Sequence, residues 1–255
     1  MEPSAAVPAA TTSLATRMVN VFAAPGEVFD EVKSSKPSTA NWLVPTLLAL
    51  VAGVLSVFII YSQPAILQQI QEQQAKAMDD QVKAGKITQA QAEQYGAMAD
   101  KYSGLTKYLV SIVLAVVVVA RLFWCALVLW LLGKWFLQAG FSYQQALEVV
   151  GLTGTIMILG SLVTTLLIVW LGKILTVSLL WFAPNSAPQS LEHMALSQVE
   201  FFDLWQTGVM AVGLARLAGV SWGKALPLVG GYWLVMASFL VSIGWLWTHL
   251  STGFK

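Results

Sequence analysis

Charge is scarce in this chain. Only 11% of its 255 residues are Asp, Glu, Lys or Arg, against 57% that are hydrophobic. Soluble domains carry about 25% charged residues. The deficit excludes an ordinary cytosolic enzyme, and the hydrophobic excess excludes a disordered chain. A net charge of +1 leaves no basic surplus for nucleic acid. Histidine occurs twice and cysteine once. Cys125, inside an apolar run, has no partner for an intramolecular disulfide and reads as a small packing residue. His193 and His249 lack metal-ligand spacing, and Glu192 beside His193 is too little for a site. HExxH, GxSxG and a glycine-rich phosphate loop are missing as well. These absences argue against an enzyme, a bound metal and a cofactor. The first forty residues lack a basic flank followed by an apolar core, so no secretory leader is expected.

What is abundant is long apolar sequence. A helix crosses a bilayer with about 20 mostly apolar residues. Residues 41–62 supply a first transmembrane helix, with Pro45 in its first turn, where a missing N–H does little harm. Residues 107–137 supply a second, longer than a membrane is thick. Residues 147–182 are long enough for one tilted span with an overhang, or for a span with a break. A weaker span, 200–218, is interrupted by Asp203 and Gln206, and 225–249 is the fifth. The expected fold is all-α: a five-span helical bundle, with residues 107–255 forming its last four transmembrane helices. Trp42, Trp135, Trp181, Trp222 and Trp247 fall at the expected span ends, where aromatic belts form.

The polar parts are confined. Residues 63–106, rich in Gln, Ala, Glu and Lys, are good helix formers. Gly85 is placed to stop one helix, and Thr88 with Gln91 matches a capping box that starts the next. This predicts an extramembrane helical hairpin, either a solvated connector or an arm that binds a protein partner. Residues 1–12, rich in Ala, Pro and Thr, read as a disordered tail. Residues 13–40 alternate apolar and polar positions at helical spacing, broken at Pro25 and Gly26. They predict an amphipathic segment lying on the membrane. Lysines and arginines near the span ends favour an N-terminus on the inner side.

Arg121 lies in "VVVVARLFWCAL", about fourteen residues into the second span, or roughly 20 Å along it. An unpaired charge at that depth costs between about 3 and more than 10 kcal/mol. Arg121 is therefore expected to face other helices. Its candidate companions in an intramembrane polar cluster are Glu148, Lys173, Glu200 and Asp203. Asp203 is the first choice, because apolar sequence extends directly behind it. The cluster is either a set of buried ion pairs fixing helix register or a site for an ion, a lipid headgroup or a proton. Small residues let helices approach closely in lipid. Such stripes occur at Thr207, Ala211 and Ala215, at Ala49 and Gly53, and at Ser238 and Ser242. The first of these places the 200–218 helix centrally.

Four pieces of sequence resemble the Yip-domain integral membrane proteins in their bacterial form. They are "APGEVFDEV" followed by "WLVP", carrying Pro25 and Phe29; "GFSYQQALEVVG", opening the third span; "EFFDLWQTGVMAVGLARLAGVSWGKA"; and the five-span layout. In the third piece Phe202, Trp205, Gly213, Leu214, Gly219, Ser221, Lys224 and Ala225 fall where the family has similar residues. Two departures stand out. Glu200 replaces the family's aspartate five positions before the tryptophan, and "GLTGTIMILG" lacks a proline common in the third span, which predicts a straighter helix. The resemblance implies a five-helix membrane domain with a cytoplasmic N-terminus, here in a bacterial inner membrane. Eukaryotic relatives bind small prenylated GTPases and act in vesicle trafficking. The function expected is a non-enzymatic scaffold that contacts the bilayer and gathers a protein partner through residues 13–40 or 63–106. The alternative is a transporter or lipid-handling protein working around Arg121 and Asp203.

Overall fold

The computed structural model describes residues 12–183, 186 and 190–253, and there every named element is a helix. Among the described residues the only extended pairing is an isolated bridge between Ser178 and Glu200. The expected tail, 1–12, lies outside the described residues except for Thr12.

Ser13 caps α1 (Leu14–Ala23) by accepting from the Thr16 backbone N–H. Pro25, with no N–H to lose, then opens α2 (Pro25–Ser34). These two short helices were expected to lay an apolar face on the membrane. Instead Val21, Val28, Phe29 and Val32 are buried in the protein core. Amphipathic spacing identifies an apolar face but not what covers it, and here other helices do.

Among the described residues, four helices are long and apolar enough to cross a membrane: Ala40–Tyr61 (α3), the Lys101–Phe136 part of α5 (Gln89–Phe136), Tyr143–Leu171 (α6), and the Trp222–Leu246 part of α9 (Trp222–Gly253). Large apolar side chains stand out from their surfaces, such as Val116, Leu166 and Val235. That is the surface of a multi-pass membrane protein, since lipid covers such residues as readily as a core does. Pro45 sits further into α3 than its first turn, because α3 starts at Ala40. α6 is continuous over 29 residues. It ends at Gly172, whose left-handed φ of +60° closes the helix. The 147–182 run therefore breaks there. A 3-10 turn (Leu179–Phe182) and α7 (Leu191–Gln198) follow.

The 200–218 run forms α8 (Phe201–Ala218), which is not among the four apolar spans. Its N-terminal end lies opposite the middle of α6, where Phe202 fills the space that a side chain at Gly160 would need. Its far end lies near the start of α6, with Gly213 against Val149. α8 therefore runs antiparallel to α6 and covers only part of its length. Thr207, Ala211 and Ala215 are buried, as a central helix requires. The Ser238 and Ser242 stripe, by contrast, faces outward.

The polar insert contains α4 (Pro64–Lys83), a stop at Gly85 (φ +70°) and the Thr88–Gln91 capping box. The returning helix does not end before the membrane. α5 runs unbroken for 48 residues, about 72 Å, from polar arm to apolar span. The root of α4 is fixed to the bundle. Ile66 is buried, and Gln69 donates to the Gly172 carbonyl at 2.6 Å and accepts from the Ile174 N–H at 3.4 Å. Close packing elsewhere depends on glycine. A Cβ on Gly151 would lie 2.3 Å from the Trp42 Cα, so α3 and α6 touch backbone to backbone there.

Candidate functional site

Arg121 projects from α5 towards the first turns of α8. Its Nη2 donates to Asp203 Oδ1 and, at 3.1 Å, to Gln206 Oε1. The other Asp203 oxygen accepts from Trp233 Nε1 of α9 at 3.2 Å. Asp203 thus ties three helices together. Its position in the first turn of α8 also places a negative charge at the positive end of the helix dipole. Gln206 is buried, and the neighbouring Thr207 hydroxyl bonds the Asp203 carbonyl at 2.7 Å.

The pair does not lie in a sealed core. The Arg121 side chain is 46% exposed and that of Asp203 23%. Both line a groove of about 720 Å³ between α5, α8 and α9, with Ser197 and Gln198 of α7 at one end. α8 begins only halfway along α6, and its first turns form one wall of the groove, with α5, α9 and the end of α7 supplying the others. Its walls are mainly apolar and aromatic, with Trp124, Tyr232 and Trp233 prominent. Glu200, at the N-cap of α8, lines it too. Among the described residues, no hydrogen bond or ion pair reaches the Glu200 carboxylate.

The expected five-residue cluster divides. Glu148 and Lys173 lie elsewhere, and the geometry of α6 explains it. Arg121 is about 23 Å along α5 from its Phe136 end, whereas Glu148 is only about 8 Å into α6, and Lys173 lies beyond the far end of that helix, more than about 40 Å along. Lys173 is exposed. Glu148 is fully buried and belongs to a second polar chain near the start of α3. It accepts from the Ser38 backbone N–H at 2.8 Å and from the Asn41 amide. The Asn41 carbonyl oxygen accepts from Arg17 at 3.4 Å, and Arg17 bonds Glu31 at 3.0 Å. Burial by itself raises the Glu31 pKa, but hydrogen bonds from Thr12 and the adjacent Arg17 charge outweigh it and hold the carboxyl below its ordinary value. Sequence reading missed Arg17, Glu31 and Asn41. Their signal was weak: Arg17 and Glu31 sit on short helices with no apolar run to mark their burial, and Asn41 sits at the edge of an apolar run, where a polar residue is ordinary.

The remaining motif residues act in packing. Pro25 starts α2. Phe29 is fully buried, close to Gly213, where a Cβ would meet Val149 at 2.4 Å. Phe202 and Trp205 stack on one another, and Trp205 meets Phe22 edge-on at 5.7 Å. Lys224 lies in the first turn of α9 and is exposed. At the other end of α8, Arg216 pairs with Asp30 at 3.0 Å and its carbonyl accepts from Lys33 at 2.9 Å, which docks α2.

No curated protein and no solved structure matches this chain. The family model of the Yip1 domain does, over residues 19–243, which takes in α2, the first three apolar spans, most of the fourth, the arm and the groove. The chain belongs to the Yip1-domain family.

Proposed function

We propose that this protein is a non-enzymatic membrane scaffold of the inner membrane of a bacterium. It crosses five times with its N-terminus in the cytoplasm, and it engages a protein partner through the α4–α5 arm. Support for five crossings comes from direction. α8 runs antiparallel to α6, and α9 runs back along α8 through the Asp203–Trp233 contact. These directions support reading the stretch that holds α8 as the return crossing, with α8 covering part of that path. Of the two segments that sequence offers to a partner, α1–α2 already spends its apolar face on the bundle. The arm does not.

The carrying observation is a seam on α5. Tyr95, Met98, Tyr102 and Leu105 are each about half exposed, at 50%, 49%, 50% and 52%, and succeed one another at steps of three, four and three residues. That is the a/d spacing of a coiled coil. No residue between Gln71 and Ala99 is buried. Tyrosine and methionine at such spacing on an arm rich in Gln and Lys form a stripe for another helix. The test is a photo-crosslinking residue at Met98 in the full-length protein in its own membrane. A single discrete protein adduct, lost when Tyr95 and Tyr102 become lysine, is expected. A folded protein that yields no adduct overturns the scaffold reading.

A second reading, a lipid-handling protein, is favoured by the groove at Arg121 and Asp203 and does not depend on the arm.

A further inference from the structure

We infer that the groove between α5, α8 and α9 binds one phosphoethanolamine-type phospholipid, with its phosphate on Arg121 and its ammonium on Glu200. This deepens the lipid-handling reading and is independent of the scaffold. Three observations carry it. First, Arg121 spends Nη2 on Asp203 and Gln206 and otherwise meets only the Cys125 sulfur, a weak acceptor, so its guanidinium keeps N–H donors for a stronger one. Second, Glu200 presents to the same groove a carboxylate that no described residue bonds. Glu200 feels the Arg121 charge but also faces the like charge of Asp203, and a carboxylate beside lipid without a hydrogen bond is costly, so a ligand that carries both signs would satisfy it and the spare Arg121 donors together. Third, the groove holds about 720 Å³, within the range of sites that enclose a small molecule, and most of its wall is apolar.

The charges select the headgroup. Arg121, Asp203 and Glu200 together carry one net negative charge, which disfavours an anionic phospholipid and suits a zwitterion. The Asp203 oxygens are already taken by Arg121 and Trp233, so the free acceptor is Glu200. A primary ammonium donates hydrogen bonds to a carboxylate. A quaternary ammonium has no N–H to donate, so phosphocholine satisfies Arg121 but not Glu200. The acyl chains then lie along Val117, Met236 and Leu240, with Ser197 and Gln198 of α7 at the groove's end.

The experiment is native mass spectrometry of the full-length, delipidated protein, offered phosphatidylethanolamine, phosphatidylcholine and phosphatidylglycerol of identical acyl chains. One phosphatidylethanolamine is expected to be retained roughly tenfold over either competitor, the discrimination that one hydrogen bond to a charged group supplies. Glu200→Gln, which breaks no contact within the protein, is expected to lower phosphatidylethanolamine retention to the phosphatidylcholine level. Ala237→Trp, which fills the apolar part of the groove, is expected to abolish specific retention while leaving the melting profile intact. Equal retention of all three lipids, preference for phosphatidylglycerol, or full phosphatidylethanolamine retention by Glu200→Gln overturns the headgroup assignment. Full retention by Ala237→Trp overturns the groove as the site. Loss of the Met98 crosslink changes neither outcome.

Discussion

Removing Arg121 tests what the pair with Asp203 does for the fold. In Arg121→Leu, Asp203 Oδ1 loses its charged donor and keeps only the Trp233 bond on Oδ2, while Gln206 loses the guanidinium N–H at 3.1 Å. In the parent this carboxylate is only 23% exposed, and it faces a groove whose walls are mainly apolar side chains. Breaking a pair of this kind costs about 3–5 kcal/mol when it is fully buried, and a charge at the helix centre costs about 3 kcal/mol on insertion scales. Because Arg121 is half-open to the groove, the low end applies. A loss of about 3 kcal/mol lowers the folded-to-unfolded ratio roughly a hundredfold. Arg121→Leu with Asp203→Asn removes both charges, and asparagine still offers Trp233 an acceptor. The double variant should recover to within about 1 kcal/mol of the parent. Reversible unfolding in mixed SDS micelles, followed by tryptophan fluorescence, measures both. A single variant as stable as the parent, or a double variant no better than the single, refutes the view that an unpaired charge is what the bundle avoids.

Three further outcomes follow from contacts elsewhere in the bundle. Gly151→Ala places a Cβ 2.3 Å from the Trp42 Cα and should cost about 2 kcal/mol or more, whereas Gly154→Ala, with nothing within 4 Å, should be neutral or slightly stabilising; equal melting temperatures for the two would contradict the α3–α6 packing. Glu148→Ala orphans the Ser38 N–H and the Asn41 amide and should cost about 2–3 kcal/mol in the same unfolding assay, with an unchanged value counting against the buried chain. Glu31 has a folded pKa below its ordinary 4.5, so its contribution to docking α1 on α2 is complete above that pH and is lost as pH falls through the folded value. Hydrogen-exchange protection of α1 should decline below pH 4.5 in the parent and be pH-independent there in Glu31→Gln; parallel curves would exclude Glu31 as the titrating group.

Hydrophobic runs, one capping box and a few glycines determined much of this protein locally. Each span needs only enough consecutive apolar residues, and the Thr88–Gln91 box and the stop at Gly85 act within a single turn, so both are legible without the rest of the chain. The Yip1 resemblance was legible for the same reason, through short motifs in fixed order. What faces what is different, because it depends on where helices end relative to one another. Only tertiary structure decided that α1 and α2 bury their apolar faces in protein, that Glu148 lies too near the start of α6 to meet Arg121, and that α8 begins opposite Gly160. That start forms one wall of the groove. It puts Glu200, a residue that sequence could mark as polar but not place, beside an arginine with donors to spare.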